Sequence, residues 1–220
     1  MKISQWTRCR IAGLIALILP LLPLVLAGCA TRTMMPPLPT SKGALPSTSD
    51  PTHYNYLIGP GDSVNIFVWR NGEVSTTVTV RPDGKITTPL VEDLPASGRT
   101  PTQLARDIEK ALGTYIKEPI VTVIVGGFIG PYSEQIRVMG EAARPQALPY
   151  RQQMTLLDLM IAVGGITDFA AGNRASVVRF VDGKQKQFSV RIEDLIKDGD
   201  ISANVDMLPG DILIIPESWF

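Results

Sequence analysis

The stretch Tyr56–Trp69, with the sequence YLIGPGDSVNIFVW, combines a tight glycine turn with a β-strand that follows it directly. Val64, Ile66 and Val68 recur at every second position, which is the period of a strand with one buried face. Gly61 lies in the turn, where we expect an unusual backbone conformation or a position that tolerates no Cβ. The stretch therefore predicts a strand that opens a folded domain.

The domain that this strand opens is predicted to cover residues 53–127. Alternating apolar residues at positions 74–80 predict a second strand. Pro82 and Gly84 then fix the backbone of a turn before the next strand. Alternation resumes at residues 121–125 and predicts the last strand of the domain.

A helix lies between the middle and the last strands of this domain. Thr100 is its predicted N-cap, Pro101 takes the first helical position, and Gln103 stands three residues after the cap. One apolar stripe then follows along the helix. It consists of Leu104, Ile108, Ala111, Leu112 and Tyr115.

A second domain is predicted over residues 133–220. Thr155 with Asp158 marks a capped helix start, and Gly164 and Gly165 end that helix with a left-handed cap. The other elements are a strand at 136–138, a hairpin over 177–190, a short helical turn at 192–196 and a final buried strand at 212–215. The fold class is therefore α+β, with two small mixed domains.

Between the two domains, the glycine-rich stretch 126–131 is interpreted as an interdomain joint. The alternative is a loop that cradles phosphate. Such a loop needs a following Lys-Ser/Thr pair and an opening helix, and the sequence has neither at this place.

A weak internal repeat links the two domains. Gly59–Asp62 and Leu208–Asp211 share the Pro-Gly-Asp sequence, and each precedes an apolar strand. We interpret this as one turn used twice before a strand, and the alternative is a duplicated functional loop. The residues predicted to be structural are Gly59, Pro60, Gly61, Asp62, Pro82, Gly84, Gly164 and Gly165.

The N-terminus reads as a bacterial lipoprotein signal over residues 1–28. Positive charges precede an apolar run, and Leu26-Ala27-Gly28 then leads into Cys29. Cys29 is the predicted lipidation site and mature N-terminus. Acyl chains contribute about 0.8 kcal/mol for each buried methylene, so several chains hold a protein on a membrane. Residues 29–52, rich in Pro, Ser and Thr, are predicted to form an extended tether.

Composition argues against several classes of function. Removing residues 1–28 takes away three of 21 basic residues and none of the 21 acidic residues, which leaves a net charge near −3 and argues against nucleic acid. The single histidine, His53, lies at the end of the tether, and Cys29 is lipidated, so we expect no catalytic triad, no metal site and no cofactor. Adjacent carboxylates at 92–93 and 193–194 are expected to be solvated rather than to form a glycosidase pair.

These motifs, in this order, resemble the bacterial polysaccharide export family of outer-membrane lipoproteins. The resemblance covers nearly all of the mature chain. Its first domain resembles the polysaccharide export domain, through Tyr56–Trp69, Val80–Ile86, Thr102–Leu112 and Pro119–Val123. Its second domain resembles the soluble-ligand-binding β-grasp domain, through Ile136–Glu141, Pro145, Thr155–Asp158 and Ala162–Ile166. The closing stretch Ile215–Phe220 resembles short members found with exosortase-type exopolysaccharide loci.

The resemblance implies a non-enzymatic lipoprotein on the outer membrane that faces the periplasm. Its partners would be the exopolysaccharide, an inner-membrane copolymerase or chain-length protein, and a separate outer-membrane barrel. The chain would form a homo-oligomeric ring or collar that passes the glycan to this exit. Long members carry a C-terminal amphipathic helix, and no such segment precedes Phe220, so we expect no channel from this chain alone.

Two other classes remain open at this stage. A monomeric lipoprotein that binds a small soluble ligand or sugar would show an apolar cleft with converging polar groups. An envelope glycosidase would show a carboxylate pair in a groove, about 5–10 Å apart.

Overall fold

The computed structural model describes residues 35–40 and 54–219. Both of the hydrophobic cores within this part of the chain belong to one compact unit. The predicted α+β class is confirmed, because short helices pack on separate mixed or antiparallel sheets.

The first half of the described chain contains five strands and one long helix. They are β1 (Ser63–Val68), β2 (Thr76–Thr79), β3 (Lys85–Thr88), β4 (Val91–Pro95), α1 (Pro101–Leu112) and β5 (Val121–Gly126). Strand β1 lies between β2 and β5 in an antiparallel sheet, and β3 pairs with β4 in a separate hairpin. Helix α1 covers one face of the three-stranded sheet with Leu104, Ile108 and Leu112.

The second half forms a five-stranded sheet with two helices. Its elements are β6 (Gln135–Gly140), β7 (Ala147–Pro149), α2 (Leu156–Val163), β8 (Ala175–Val181), β9 (Lys184–Val190), α3 (Ile192–Ile196) and β10 (Ile212–Ile215). The strand order is β7-β6-β10-β8-β9, and only the β6–β10 pair is parallel among these strands. Leu156, Leu159 and Val163 of α2 are fully buried against the sheet.

Both predicted helix starts are confirmed, because each rests on local hydrogen bonds. The hydroxyl of Thr100 accepts a hydrogen bond from the backbone amide of Gln103, and the side-chain oxygen of Gln103 accepts one from the backbone amide of Thr100. Thr155 and Asp158 form the same reciprocal box. Such boxes satisfy two of the backbone donors that a helix start leaves free.

Two sequence predictions need correction. Alternation predicts Val74 in the second strand, but this residue ends a 3-10 turn, because the Ser75 hydroxyl bonds the backbone of Val68 and folds the chain there. The apolar stripe of α1 predicts Tyr115 on the helix, but the helix ends at Leu112 and the tyrosine is exposed. Strands β4 and β7 were not predicted from the sequence.

The segment 35–40, called here the N-terminal strap, lies along strand β9. Pro37 pairs with Ser189 in the parallel sense, and Thr40 bridges to Val205. Leu38 is buried in the core of the second half. This short part of the predicted tether is therefore extended but packed, and the tether as a whole stays a prediction.

The linker between the two halves, residues 127–134, contacts both Pro-Gly-Asp turns through its backbone. A Cβ atom on Gly59 would lie 2.0 Å from the carbonyl carbon of Gly130. A Cβ atom on Gly210 would lie 2.8 Å from the carbonyl oxygen of Ser133. Real Cβ atoms do not approach backbone so closely, so glycine at both positions lets the turns lie directly against the linker.

We predict that Gly59→Ala destabilises the protein and that Gly72→Ala does not. Gly72 is the matched control, because a Cβ atom at this position would have no other atom within 4 Å and its φ is not positive. Overpacking at Gly59 should lower the free energy of unfolding by about 3 kcal/mol, whereas Gly72→Ala should change it by less than about 1 kcal/mol. Urea unfolding of both variants measures this, and equal effects would contradict the backbone contact.

Candidate functional site

The carboxylate of Asp62 is the most constrained polar group of the first Pro-Gly-Asp turn. Its side chain is fully buried. One oxygen, Oδ2, accepts from the Gly59 amide at 2.8 Å and from the Tyr56 hydroxyl at 2.5 Å. The other, Oδ1, accepts from the linker amides of Ile129 at 2.7 Å and Gly130 at 3.2 Å. Four donors therefore compensate for the burial of one carboxylate.

Tyr56 keeps its proton in this arrangement. Its burial raises the pKa of the phenol, and the hydrogen bond to Asp62 raises it further. The protonated hydroxyl is therefore a permanent donor at neutral pH. The ring also meets Phe128 of the linker edge to face, with ring centroids 5.5 Å apart.

The second turn repeats the local geometry of the first. The Asp211 amide donates to the Leu208 carbonyl at 3.2 Å, and the Leu208 amide donates to Asp211 Oδ2 at 2.8 Å. In the first turn the corresponding distances between Asp62 and Gly59 are 3.2 and 2.8 Å. The hydrogen-bond pattern is thus the same in both turns, as expected for one turn used twice.

The two turns differ in the hydrogen-bond donors that the remaining carboxylate lone pairs accept from. Asp211 is fully buried and accepts a bidentate pair from Arg179, at 2.9 Å from Nε and 2.7 Å from a terminal nitrogen. Arg179 lies on the neighbouring strand β8, and its side chain is itself only 12% exposed. At the second turn, therefore, an arginine donates the hydrogen bonds to the buried carboxylate that the linker amides donate at the first turn.

The other predicted structural residues lie in turns of ordinary geometry. Gly84 has a φ of 79°, and its carbonyl accepts from the amides of Ala96 and Ser97. Gly164 caps helix α2 with a φ of 79°, and Gly165 follows with a φ of 88°. Pro82 lies in the exposed turn before β3. Their structural role stays a prediction, and Cys29 lies outside the described residues.

Comparison with known proteins identifies both halves. Residues 50–126 match the family model described as polysaccharide biosynthesis/export protein, and residues 134–215 match the SLBB domain. The chain belongs to the polysaccharide export family. We call residues 54–126 the export domain and residues 134–215 the SLBB domain. The first matched region ends at residue 126, directly before the linker, and the second begins at residue 134, where the linker ends.

Several curated relatives support this assignment. The chain is 28% identical over 163 residues to the exopolysaccharide production protein ExoF of Rhizobium meliloti (strain 1021), covering 68% of the chain and 36% of the relative. It is 27% identical over 186 residues to the EPS I polysaccharide export outer membrane protein EpsA of Ralstonia nicotianae, covering 74% of the chain and 47% of the relative. The chain therefore spans less than half the length of these relatives.

The SLBB domain contains a cleft of about 530 Å³ between strand β7 and helix α2. Volumes of this order hold small ligands. Its wall is formed by Leu148, Pro149, Arg151, Gln152, Gln153, Met154, Asp158, Ile161 and Ala162. Gln153 has a φ of 64°, an unfavourable backbone for a residue with a side chain. The sequence did not predict this cleft, because its residues are spread over a strand, a loop and a helix.

The export domain presents an apolar surface on the face of its sheet opposite α1, called here the aromatic face. Phe67 and Trp69 project from β1 and its end, with ring centroids 6.3 Å apart. Ile120 and Ile124 are exposed beside them. Contiguous exposed apolar groups of this kind mark contact surfaces.

Three of the four carboxylates at 92–93 and 193–194 make ion pairs with arginine or lysine. Asp93 pairs with Arg81 at 2.6 Å in an exposed contact, and the half-buried Asp194 pairs with Arg191 at 2.8 Å. Within residues 35–40 and 54–219, no group of three or more His, Cys, Asp or Glu is placed to hold a metal ion. The same ranges contain no helix that is long and apolar enough to cross a membrane. His53 lies outside the described residues.

We predict that Asp62→Asn destabilises the link between the two domains. Asparagine has one acceptor oxygen, so its NH₂ group would face either the Gly59 N–H or the linker N–H groups and leave at least one backbone N–H unpaired, which should cost about 3 kcal/mol. Limited proteolysis should then cut the linker faster, and urea unfolding should begin earlier.

The matched control is Asp182→Asn, in the exposed turn between β8 and β9, where the side chain is 89% exposed. Asparagine also tolerates the positive φ of 53° at this position. This variant should behave like the wild type, and an equal loss in both variants would contradict the role given to Asp62.

Proposed function

We propose that this protein is an outer-membrane lipoprotein subunit of an exopolysaccharide export apparatus. The observation that carries the proposal is the match of residues 50–126 to the polysaccharide biosynthesis/export model, followed directly by an SLBB domain. The names of the relatives support it further, since they describe exopolysaccharide production and an outer-membrane export protein. In this proposal the protein carries out no chemistry and guides the glycan.

Membrane attachment is proposed to occur through a lipid on Cys29, with the folded domains facing the periplasm. The sequence Leu26-Ala27-Gly28-Cys29 after an apolar run supports this. Several acyl chains are sufficient for stable attachment.

The subunits are proposed to form a ring or collar. The aromatic face supports this, because Trp69 is 54% exposed although it belongs to a residue type that is usually well covered. Burial of such a face against a second copy would remove large apolar surface from water. The ring would receive the glycan from an inner-membrane copolymerase or chain-length protein and pass it to a separate outer-membrane barrel.

The second candidate function is a monomeric lipoprotein that binds a small sugar or another soluble ligand. The cleft between β7 and α2 favours this candidate, because it combines apolar walls with Arg151 and Gln153. The two candidates differ in assembly, since the second needs no contact between copies.

We predict that Cys29→Ser moves the protein out of the membrane fraction or leaves it as an unprocessed precursor. The reason is that serine cannot form the thioether that carries the diacylglycerol. Cys9→Ser is the matched control, because Cys9 lies within the predicted signal and should be dispensable. Intact-mass measurement of the membrane-bound wild type should show the lipid, and an unmodified Cys29 there would refute the proposal. Exopolysaccharide released by complemented cells should fall only in Cys29→Ser.

We predict that the purified lipidated protein has the mass of an oligomer in detergent and that Trp69→Glu shifts it towards the monomer. A carboxylate in the centre of an apolar contact would lose its hydration without a partner. Phe180→Glu, an equally drastic change at an exposed aromatic residue of the SLBB domain, is the control. Light scattering measures the mass. A monomeric wild type would favour the second candidate over the ring.

A further inference from the structure

The cleft between β7 and α2 of the SLBB domain is an open groove. Seven of its nine lining residues are exposed, and Ile161 of α2 is 71% exposed. Pockets for small molecules instead enclose the ligand and bury about 70–90% of its surface. A groove with such exposed walls suits an internal segment of a long chain, because both ends of that segment can continue into solvent.

The loop that forms one wall of the groove has a strained backbone on a rigid base. The Met154 amide donates to the Arg151 carbonyl at 3.0 Å and closes a turn. Gln153, the third residue of this turn, has a φ of 64°, at a position where glycine or asparagine is usual. The Met154 carbonyl accepts from the amide of the buried Met207 at 2.9 Å, which fixes the turn to the core. Strain that is held in this way occurs preferentially at functional sites.

Two charged side chains of the groove keep hydrogen-bonding capacity for a ligand. Asp158 uses one oxygen, Oδ2, in the capping box, where it accepts from the Thr155 amide at 2.9 Å and from the Thr155 hydroxyl at 2.8 Å. Within the described part of the chain, its Oδ1 accepts no hydrogen bond and the Arg151 guanidinium makes no ion pair. The groove therefore offers a carboxylate acceptor and a guanidinium donor whose charges sum to zero.

We infer that this groove binds an internal, uncharged segment of the exported polysaccharide through its hydroxyl groups. A sugar hydroxyl both donates and accepts, so Asp158 Oδ1 accepts from one hydroxyl while Arg151 and Gln153 donate to sugar oxygens. Ile161 provides an apolar surface for the C–H groups of a sugar ring. The inference rests on the proposed export function and adds to it a direct contact between this subunit and the glycan.

The test measures binding to the lipidated full chain in detergent by isothermal titration calorimetry. The probes are oligosaccharides cut by partial hydrolysis from the exopolysaccharide that the producing cells release, and the monosaccharides of the same polymer. We expect the oligosaccharides to bind at least about ten-fold more tightly than any monosaccharide, because several sugar units contact the groove. Chemical blocking of the reducing end should leave the affinity unchanged, since an internal segment is bound.

Asp158→Asn should weaken oligosaccharide binding by at least about ten-fold, because it replaces the acceptor Oδ1 with a donor while one oxygen remains for the capping box. Arg151→Gln should also weaken binding, and it repeats the test at an exposed residue outside the cap if thermal unfolding shows that Asp158→Asn has lost its fold. Asp182→Asn removes an exposed carboxylate far from the groove in the sequence and should bind like the wild type.

The contrary outcomes are distinct. Monosaccharides that bind as tightly as oligosaccharides would overturn the inference in favour of a small-ligand site. An affinity that falls more than about ten-fold between low and high salt would show recognition of charge instead of hydroxyl groups. Absence of binding, or an equal loss in Asp182→Asn, would refute the site itself. The proposed function is tested separately, because unchanged exopolysaccharide release from cells that lack the protein would refute export and leave the binding result standing.

Discussion

The buried carboxylate of Asp62 is the interaction that ties the linker to the export domain. It accepts bonds from Gly59 and Tyr56 at the entry to β1, and from Ile129 and Gly130 in the linker. A buried charge without partners would cost several kcal/mol, so the carboxylate requires these donors as much as they require it. One side chain therefore couples the start of the export domain to the segment that leads out of it. The turn and the linker can separate only if the bonds to Ile129 and Gly130 break together.

The second turn extends the same constraint to the other side of the linker. Gly59 lies against Gly130, and Gly210 lies against Ser133, in both cases with no room for a Cβ. Glycine permits close approach to the linker in both turns, at the position before the proline in the first and after it in the second, and the aspartate ties each turn to itself.

The sequence was most informative where structure is decided locally. The helices that begin after Thr100 and Thr155 followed from capping boxes, whose bonds lie within four residues. Strand β7 was missed, since three residues give no periodicity and only pairing with β6 makes them a strand. The partner of Asp211 could not be predicted from the sequence either, because Arg179 is 32 residues away in the chain and contacts Asp211 only once the sheet has formed. The available sequence signal was the Pro-Gly-Asp repeat, which places an aspartate directly before an apolar strand in both turns.

The prolines of the strap have a physical role at the edge of the sheet. Composition predicts an extended tether here, and within the strap Pro36 and Leu38 bond to β9 while Pro37 and Pro39 lie at the positions between and after them. Ser189 exchanges bonds with Pro36 and Leu38, so the backbone nitrogens of Pro37 and Pro39 face away from the sheet. A proline nitrogen carries no hydrogen, so this outer edge offers no donors at these two positions to a further strand. An exposed edge strand invites pairing with other chains, and proline on the edge is a known protection against it. The same six residues therefore pair with the sheet through Pro36 and Leu38 and close its edge against unwanted partners.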